Sequence, residues 1–186
     1  MKQKLFISVF ILLSINFFAK ESFPNKNHFA VKCEDGTVFE LDTDIKNVYE
    51  KLGEPLRKEN LWAIYPEASC AFYRIDYEGI SFCYYDLDNK IVRIGIFGDN
   101  YKILDNEITV GSSYNEIIES YGTPHKEQEF FSNERNEDVN QISYTTQHTE
   151  LSYVKQTVVY CYGAAFNFDL RKEKCNQILL NFFAIY

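Results

Sequence analysis

Proline and glycine are scarce in this sequence, and no long low-complexity stretch interrupts it. The 186 residues include 4 prolines and 8 glycines, while 46% of residues are hydrophobic and 25% are charged. This composition excludes a disordered tail, a collagen-like repeat and a protein that crosses a membrane many times. The chain is long enough to bury a sizeable core, in one domain or in two small units that share one.

Basic residues are also in the minority. Lys and Arg number 19 against 27 Asp and Glu, which gives a net charge of −8. An acidic surface repels phosphate backbones and anionic lipids, because binding to nucleic acid needs basic groups that displace counterions. We therefore exclude nucleic acid and an anionic membrane surface as partners. The charge favours a basic protein or a cationic small molecule as partner, or it serves only to keep the protein soluble.

The motifs of common catalytic sites are absent as well. The sequence has no Gly-x-Ser-x-Gly, no phosphate-binding glycine loop, no His-Glu-x-x-His and no Cys-x-x-Cys. Its histidines, His28, His125 and His148, do not lie at ligand spacing from any cysteine pair. The sequence thus predicts a protein that is not an enzyme, with no catalytic residue, no cofactor and no metal.

The first 19 residues predict export. Lys2 and Lys4 precede an apolar run that ends at Ala19. The run is shorter than the about 20 residues of a membrane-spanning helix and suits a signal peptide. An uncleaved N-terminal anchor is the alternative, because Phe17 is bulky for the third position before a cleavage site. We expect an exported protein, periplasmic or secreted, with no membrane span in its mature form.

Five cysteines follow the export signal, an odd number for an oxidising compartment. Cys70 and Cys83 flank a predicted hairpin and fall on one strand face, so they are the candidate disulfide. The pairing of Cys33, Cys161 and Cys175 stays open. At least one cysteine is then free or bonded to another chain.

An eight-residue motif occurs twice, at residues 48–55 (VYEKLGEP) and 117–124 (IIESYGTP). Both copies are typical of a helix end, because glycine adopts the left-handed conformation after the last turn and proline prevents the helix from continuing. The structural residues predicted from this motif are Gly53, Pro55, Gly122 and Pro124.

The same order of elements surrounds both motifs. Capping residues precede each helix, residues 42–44 in the first copy and the box Ser113-x-x-Glu116 in the second. A hairpin signal precedes each cap, and a β-rich run follows each helix. We predict an α+β, two-layer fold of two tandem helix-plus-antiparallel-sheet repeats that form one continuous curved sheet. The repeats span 28–98 and 99–186, with an acidic insertion, a loop or an extended hairpin, at about 127–147.

Alternation along the strands predicts a sheet face without a helix on it. One set of alternate residues is apolar and should face the helices, whereas the opposite set mixes aromatic and charged side chains. Neither a packed core nor a bilayer selects such a mixture, so we predict that this face binds a partner. The candidate partner-binding residues are Arg74, Tyr85, Arg93, Phe97, Tyr160 and Asn181.

With capped helices that end in Gly-x-Pro, each followed by aromatic-rich strands, residues 28–186 resemble the beta-lactamase-inhibitor-protein-like fold. The related single-copy unit occurs in a small outer-membrane lipoprotein of the barrel-assembly machinery. The resemblance implies a binding module whose sheet face grips another protein through aromatic side chains. Two features depart from the family: the cysteines do not superpose between the copies, and the lipoprotein's acylated N-terminal cysteine is missing.

The sequence therefore predicts an exported, non-enzymatic protein-binding module. In its sharpest form this is an inhibitor or immunity-type neutraliser of a protein that acts on the cell envelope. The alternative is an envelope assembly or maintenance factor. A third hypothesis is an enzyme whose site has no recognisable motif.

Overall fold

The computed structural model describes residues 29–61, 71–132, 137–151, 157–169 and 174–185. The predicted export signal, residues 1–19, lies outside these ranges. The elements along the chain are β1 (Ala30–Cys33), β2 (Val38–Glu40), α1 (Lys46–Leu52), β3 (Arg57–Asn60), β4 (Phe72–Tyr77), β5 (Ile80–Tyr85), β6 (Ile91–Ile96), β7 (Tyr101–Ile103), α2 (Tyr114–Tyr121), β8 (Lys126–Ser132), β9 (Glu137–Leu151), β10 (Thr157–Asp169) and β11 (Cys175–Ile185).

Eight of these strands form one antiparallel sheet. Its order is β3-β4-β5-β6-β11-β10-β9-β8, so the strands after α1 lie on one side and the strands after α2 on the other. The two sides meet where residues 93–96 of β6 pair with residues 178–181 of β11. This central ladder is short, whereas β9 pairs with β10 along the whole length of β10.

A small sheet and the helices cover one face of the large sheet. β2, β1 and β7 form a three-stranded antiparallel sheet. From it, Phe39 packs edge-on against Phe82 of β5, with ring centroids 5.1 Å apart. Tyr121 of α2 packs in the same way against Phe166 of β10 at 5.0 Å. These contacts belong to one continuous hydrophobic core, whose burial is the main stabilising contribution to the fold.

Both helices end at the glycine of the repeated motif. Gly53 directly follows α1 with φ 74°, and Gly122 directly follows α2 with φ 80°, a region that residues with a Cβ disfavour. A tyrosine from the large sheet binds each end. Tyr77 Oη donates to the carbonyl oxygen of Gly53 at 2.8 Å, and Tyr144 Oη donates to that of Gly122 at 2.9 Å. Helix termination is thus tied to the sheet beneath it.

The two helices begin differently. At α2 the Ser113 hydroxyl accepts from the backbone N–H of Glu116 at 3.3 Å, and the Glu116 carboxylate accepts from the Ser113 N–H at 2.7 Å, which completes the predicted capping box. The bond from the Ser113 backbone holds the pKa of Glu116 below its usual value. At α1 the side chain of Asp44 accepts from the N–H of Lys46 at 2.8 Å. Ile45 occupies the cap position and contributes no side-chain bond.

The predicted fold class is wrong. The fold is mostly β, with a large eight-stranded sheet and a small three-stranded sheet, rather than α+β built from two helix-plus-sheet repeats. The two helices of the described ranges have 7 and 8 residues, too few to form a layer of their own, and neither has the length or hydropathy to cross a membrane. The error arose because β1 pairs with the distant β7 as well as with β2. Pairing between distant segments leaves no local signal in a sequence.

Residues 127–147, predicted to be an acidic insertion, lie mostly in β8 and β9, which pair with each other. Ile142 and Tyr144 are buried, whereas Glu127 and Glu129 are exposed. Of the two forms considered for this segment, the structure has an extended hairpin that continues the sheet, and its acidic residues in β8 lie on the exposed edge strand.

Candidate functional site: the outer face of the large sheet

The eight-stranded sheet has one face turned away from the helices, here called the outer face. Successive strand residues point to opposite faces, and the buried residues Ile75, Phe82 and Ile94 mark the inner set. Described positions of the outer face include Arg57 and Glu59 in β3, Phe72, Arg74 and Asp76 in β4, Ser81, Cys83 and Tyr85 in β5, Arg93 and Gly95 in β6, Phe97 just after it, Gln177, Leu179 and Asn181 in β11, Gly163, Ala165 and Asn167 in β10, Gln141 and Ser143 in β9, and Lys126 and Gln128 in β8. All the predicted partner-binding residues except Tyr160 are among them.

Arg74 is held by a carboxylate and lies beside an aromatic ring. Its Nε donates to Oδ1 of Asp76 at 2.7 Å, and the two side chains are 27% and 21% exposed. Its guanidinium carbon lies 5.8 Å from the centre of the Phe97 ring, and Phe97 is 37% exposed. A Cβ at Gly95 would approach carbons of that ring to 3.2 Å, so glycine is what lets the ring lie close to the strand. The ion pair and the cation–π contact together fix the orientation of the guanidinium.

Arg93 and Asn181 meet at the centre of the sheet. They are paired across the β6–β11 ladder, and Nε of Arg93 donates to Oδ1 of Asn181 at 2.8 Å. Cys83 is the register partner of Arg93 on the other side, and Cys83 in turn pairs with Arg74. Four adjacent strands therefore place Arg74, Cys83, Arg93 and Asn181 in one row across the outer face.

A chain of amide side chains crosses the other half of the face. Gln128 Nε2 donates to Gln141 Oε1 at 2.9 Å, and Gln141 Nε2 donates to Asn167 Oδ1 at 2.7 Å. Asn167 Nδ2 then donates to Gln177 Oε1 at 2.6 Å. Asn167 and Gln177 are buried, and a buried amide is costly unless it is hydrogen-bonded. Sequence analysis missed this amide chain, because the only signal was a polar residue between apolar neighbours and the partners depend on strand register.

One end of the outer face is closed by an apolar cluster. Leu61, Phe72 and Cys83 are buried there, with Tyr85 and Val92 packed against them. The rings of Phe72 and Tyr85 lie 5.0 Å apart. Tyr85 therefore contributes to packing as well as to the face, and a partner has access to only part of it.

The candidate disulfide falls partly outside the described residues. Cys83 is buried in the apolar cluster, and Cys70 lies in the undescribed range 62–70. At the end of β1, burial first and then the charge of Asp35 raise the pKa of Cys33 to about 11. That thiol is protonated at neutral pH and is a poor nucleophile.

Tyr160 does not share the position of the other candidates. β10 runs unbroken through Gly163, so position 160 has the same strand parity as Ala164 and Phe166, which belong to the core. The side chain of Tyr160 lies outside the described residues, so its role in partner binding stays a prediction. The prediction treated the segments before and after Gly163 as separate strands, whereas a continuous strand keeps one alternation throughout.

On the inner face, tyrosines surround Lys58. Lys58 Nζ lies 5.0 Å from the centre of the Tyr73 ring and 5.8 Å from that of Tyr84. A hydrogen bond with Tyr84 raises the pKa of Lys58, and burial raises the pKa of Tyr49 and that of Tyr77, the latter to about 12. Each shift favours the form already present at neutral pH. The cluster thus supports the edge strand β3 and offers no acid or base for catalysis.

A polar pocket of about 290 Å³ lies beside the small sheet, lined by Lys32, Cys33, Glu34, Asp99, Asn100, Lys102 and Glu107. Within it, Lys102 Nζ donates to Oε2 of Glu107 at 2.7 Å, so opposite charges already neutralise each other. In the ranges that the structure describes, His, Cys, Asp and Glu side chains form no group of three able to hold a metal. The pocket brings together neither an activated nucleophile with a base nor a set of oxyanion donors.

Comparisons with known proteins assign the chain to no family. No protein-family model matches it, and no curated protein matches it in sequence. Among solved structures, it is similar to a cysteine-rich secretory protein from Staphylococcus aureus subsp. aureus Mu50, with a TM-score of 0.42 and 16% identity. The match covers 76% of this chain and 44% of that chain, so this chain spans less than half the length of that protein. A likeness this distant carries no functional conclusion.

Proposed function

We propose that the chain is an exported, non-enzymatic protein-binding module that presents to a partner the accessible part of its outer face, around Arg74, Arg93 and Phe97. The observation that carries this proposal is the cluster of Arg74, Arg93, Phe97 and Asn181 on one face. Asp76 holds Arg74 by a bond of 2.7 Å, and Asn181 holds Arg93 by one of 2.8 Å. The resemblance to the beta-lactamase-inhibitor-protein-like fold implied the same use of a sheet face.

Preorganisation supports this use of the outer face. Association costs free energy when flexible side chains become ordered, about 0.5–1.5 kcal/mol for each long one. Arg74 and Arg93 are already oriented in the free protein, by Asp76 and Asn181 respectively. Arginine and aromatic side chains are also enriched among the residues that dominate binding energy. Binding of a partner to this cluster therefore costs less side-chain entropy than binding to unconstrained arginines would.

The charge of the chain acts at longer range. On the outer face Arg74 pairs with Asp76, and Arg57 Nη2 lies 3.0 Å from Oε2 of Glu59. Exposed carboxylates lie elsewhere, for example Glu119 on α2. Acidic groups around this contact surface steer a basic partner toward it without fixing the contacts themselves. In the sharp form of the proposal, the partner is an envelope-acting toxin or hydrolase whose cleft this face blocks.

The test compares variants in capture from the native envelope, followed by titration of the captured protein against purified full-length chain. Phe97→Ala removes an exposed ring, and Glu119→Ala is the matched control on the opposite side. We expect stoichiometric binding that F97A weakens at least about fivefold. E119A removes one long-range charge and no contact, so it should change the affinity less than about twofold. Far-ultraviolet circular dichroism checks that both variants are folded. Equal binding by wild type, F97A and the double variant R74A/F97A would overturn the proposal.

A further inference from the structure

Arg93 is a cation that no acidic side chain of the described residues neutralises. Its bond partner, Asn181, is neutral, so the hydrogen bond orients the guanidinium and leaves its charge uncompensated. In the described part of the chain Arg93 forms no ion pair, and it is half-buried. The described outer-face positions around it carry no carboxylate; they are Ser81, Cys83, Tyr85, Gly95 and Leu179.

Arg74 shows what such a guanidinium binds when an acid is within reach. It lies in the same row, two strands away, and its Nε contacts Oδ1 of Asp76 at 2.7 Å. The two arginines thus differ in one respect that matters here. Asp76 supplies a carboxylate to Arg74, whereas no residue in the described ranges supplies one to Arg93.

The donors left on Arg93 match a carboxylate. A guanidinium has five N–H donors in a planar fork, and Asn181 uses only the one on Nε. The N–H groups on both Nη atoms remain, and a pair of them suits the two oxygens of a carboxylate in a bidentate contact. Because Asn181 already fixes the plane of the fork, little rotational freedom is lost when the second contact forms.

We propose that Arg93 is the receptor for a carboxylate of the protein partner, supplied by an Asp or Glu side chain or by a chain terminus. The proposal rests on the proposed function and adds the chemistry of the central contact: a partner that is basic overall presents one acid at the middle of its surface. A carboxylate fits better than a phosphoryl group. The second arginine of the row is occupied, and the net charge of −8 repels a dianion more strongly than a monoanion.

Acetate is the probe, and the full-length chain labelled with ¹⁵N-arginine is the sample. Acetate is titrated against chloride at equal ionic strength while the Nε–H signals of Arg93 and Arg74 are followed. We expect the Arg93 signal to shift saturably, at least about five times more with acetate than with chloride. The Arg74 signal should respond more strongly in the variant D76N, which replaces the internal carboxylate with a neutral amide.

Three results would overturn the inference. The first is an Arg93 shift that is the same for acetate and chloride. The second is an equal response of Arg93 and Arg74 in the wild type. The third is tighter binding of inorganic phosphate than of acetate, which would make a phosphoryl group the ligand.

The variant R93K then connects the probe to the partner. Lysine keeps the charge and loses the fork, so we expect it to lose the acetate response and to bind the captured partner at least about fivefold more weakly. If wild-type Arg93 binds acetate but R93K binds the partner as tightly as the wild type does, the receptor role is refuted. If acetate fails to bind while F97A still weakens capture, the Arg93 inference falls and the proposed function stands.

Discussion

Replacing Asn167 with alanine should lower the free energy of unfolding by about 2–4 kcal/mol. The side chain is 3% exposed, accepts a hydrogen bond from Gln141 at 2.7 Å and donates one to Gln177 at 2.6 Å. N167A deletes both bonds and leaves Oε1 of Gln177, a residue 6% exposed, without its donor. An unpaired buried polar atom costs about 1–3 kcal/mol, and a lost bond about 1 kcal/mol. Gln141 is only half-buried, so its freed amide can bind water and contributes less to the loss of stability.

The matched control is Gln128→Ala, at the other end of the amide chain. Gln128 is half-buried on the edge strand β8 and makes one bond of 2.9 Å to Gln141. Q128A should cost less than about 1 kcal/mol. Urea unfolding followed by circular dichroism measures both variants, and N167A should lower the midpoint by about 1–2 M at an unchanged slope. If N167A lowers the free energy of unfolding no more than Q128A does, burial does not increase the contribution of these hydrogen bonds to stability.

The variant N167D separates hydrogen bonding from side-chain size. A carboxylate can still accept from Gln141, but it places an acceptor against Oε1 of Gln177. Burial and this repulsion raise the pKa of the introduced carboxyl above its unfolded value of about 3.9, while the protonated form can donate to Gln177. Stability from a group with a raised pKa is present below the unfolded pKa and is lost as pH rises through the folded one. N167D should therefore approach wild-type stability near about pH 4 and fall away by about pH 7. A difference from wild type that is independent of pH would contradict this reasoning.

Four further predictions concern the two ends of the helices. Y77F and Y144F each remove a bond to a terminal glycine carbonyl, 2.8 and 2.9 Å long, and each should cost about 1 kcal/mol in urea unfolding. Because the pKa of Tyr77 is raised to about 12, wild-type stability should also fall between about pH 10 and that value, by more than it does in Y77F. G53A adds a Cβ that meets no atom within 4 Å, so its expected cost of about 1 kcal/mol comes from the positive φ alone; an unchanged melting temperature would refute it. S113A should cost about 1 kcal/mol in unfolding free energy through the lost cap. This difference should shrink in acid, because the pKa of Glu116 is lowered in the folded protein. The stability that Glu116 contributes is therefore present above its unfolded pKa and is lost as pH falls through its folded pKa.

Local features of this fold could be predicted from the sequence. The helix ends depend on glycine and proline within a few residues, and the capping box at Ser113 depends on a residue three positions away. Strand alternation likewise placed Arg74 and Arg93 on the face opposite the two described helices. Each of these results follows from chemistry between near neighbours, which one sequence contains in full.

Features that depend on distant pairing could not be predicted. Nothing near β1 indicates that it pairs with β7, so the small sheet was missed and the fold class was wrong. The partners of Asn167 lie on two other strands, and only the register brings their amides within reach. The continuity of β10 through Gly163 was missed for a related reason, because it depends on long neighbours on both sides.

Insertions and deletions should be tolerated very unequally along this chain because of the ladder between β6 and β11. The ladder aligns Arg93 with Asn181 and Ile94 with Leu180. Deleting one residue inside β11 would reverse the direction of every side chain beyond it, turning Leu180 outward and Asn181 into the core. A length change in the turn between β5 and β6 leaves both strands intact. Related proteins that keep the outer face should therefore differ in the length of the turn between β5 and β6, while the lengths of β6 and β11 stay the same.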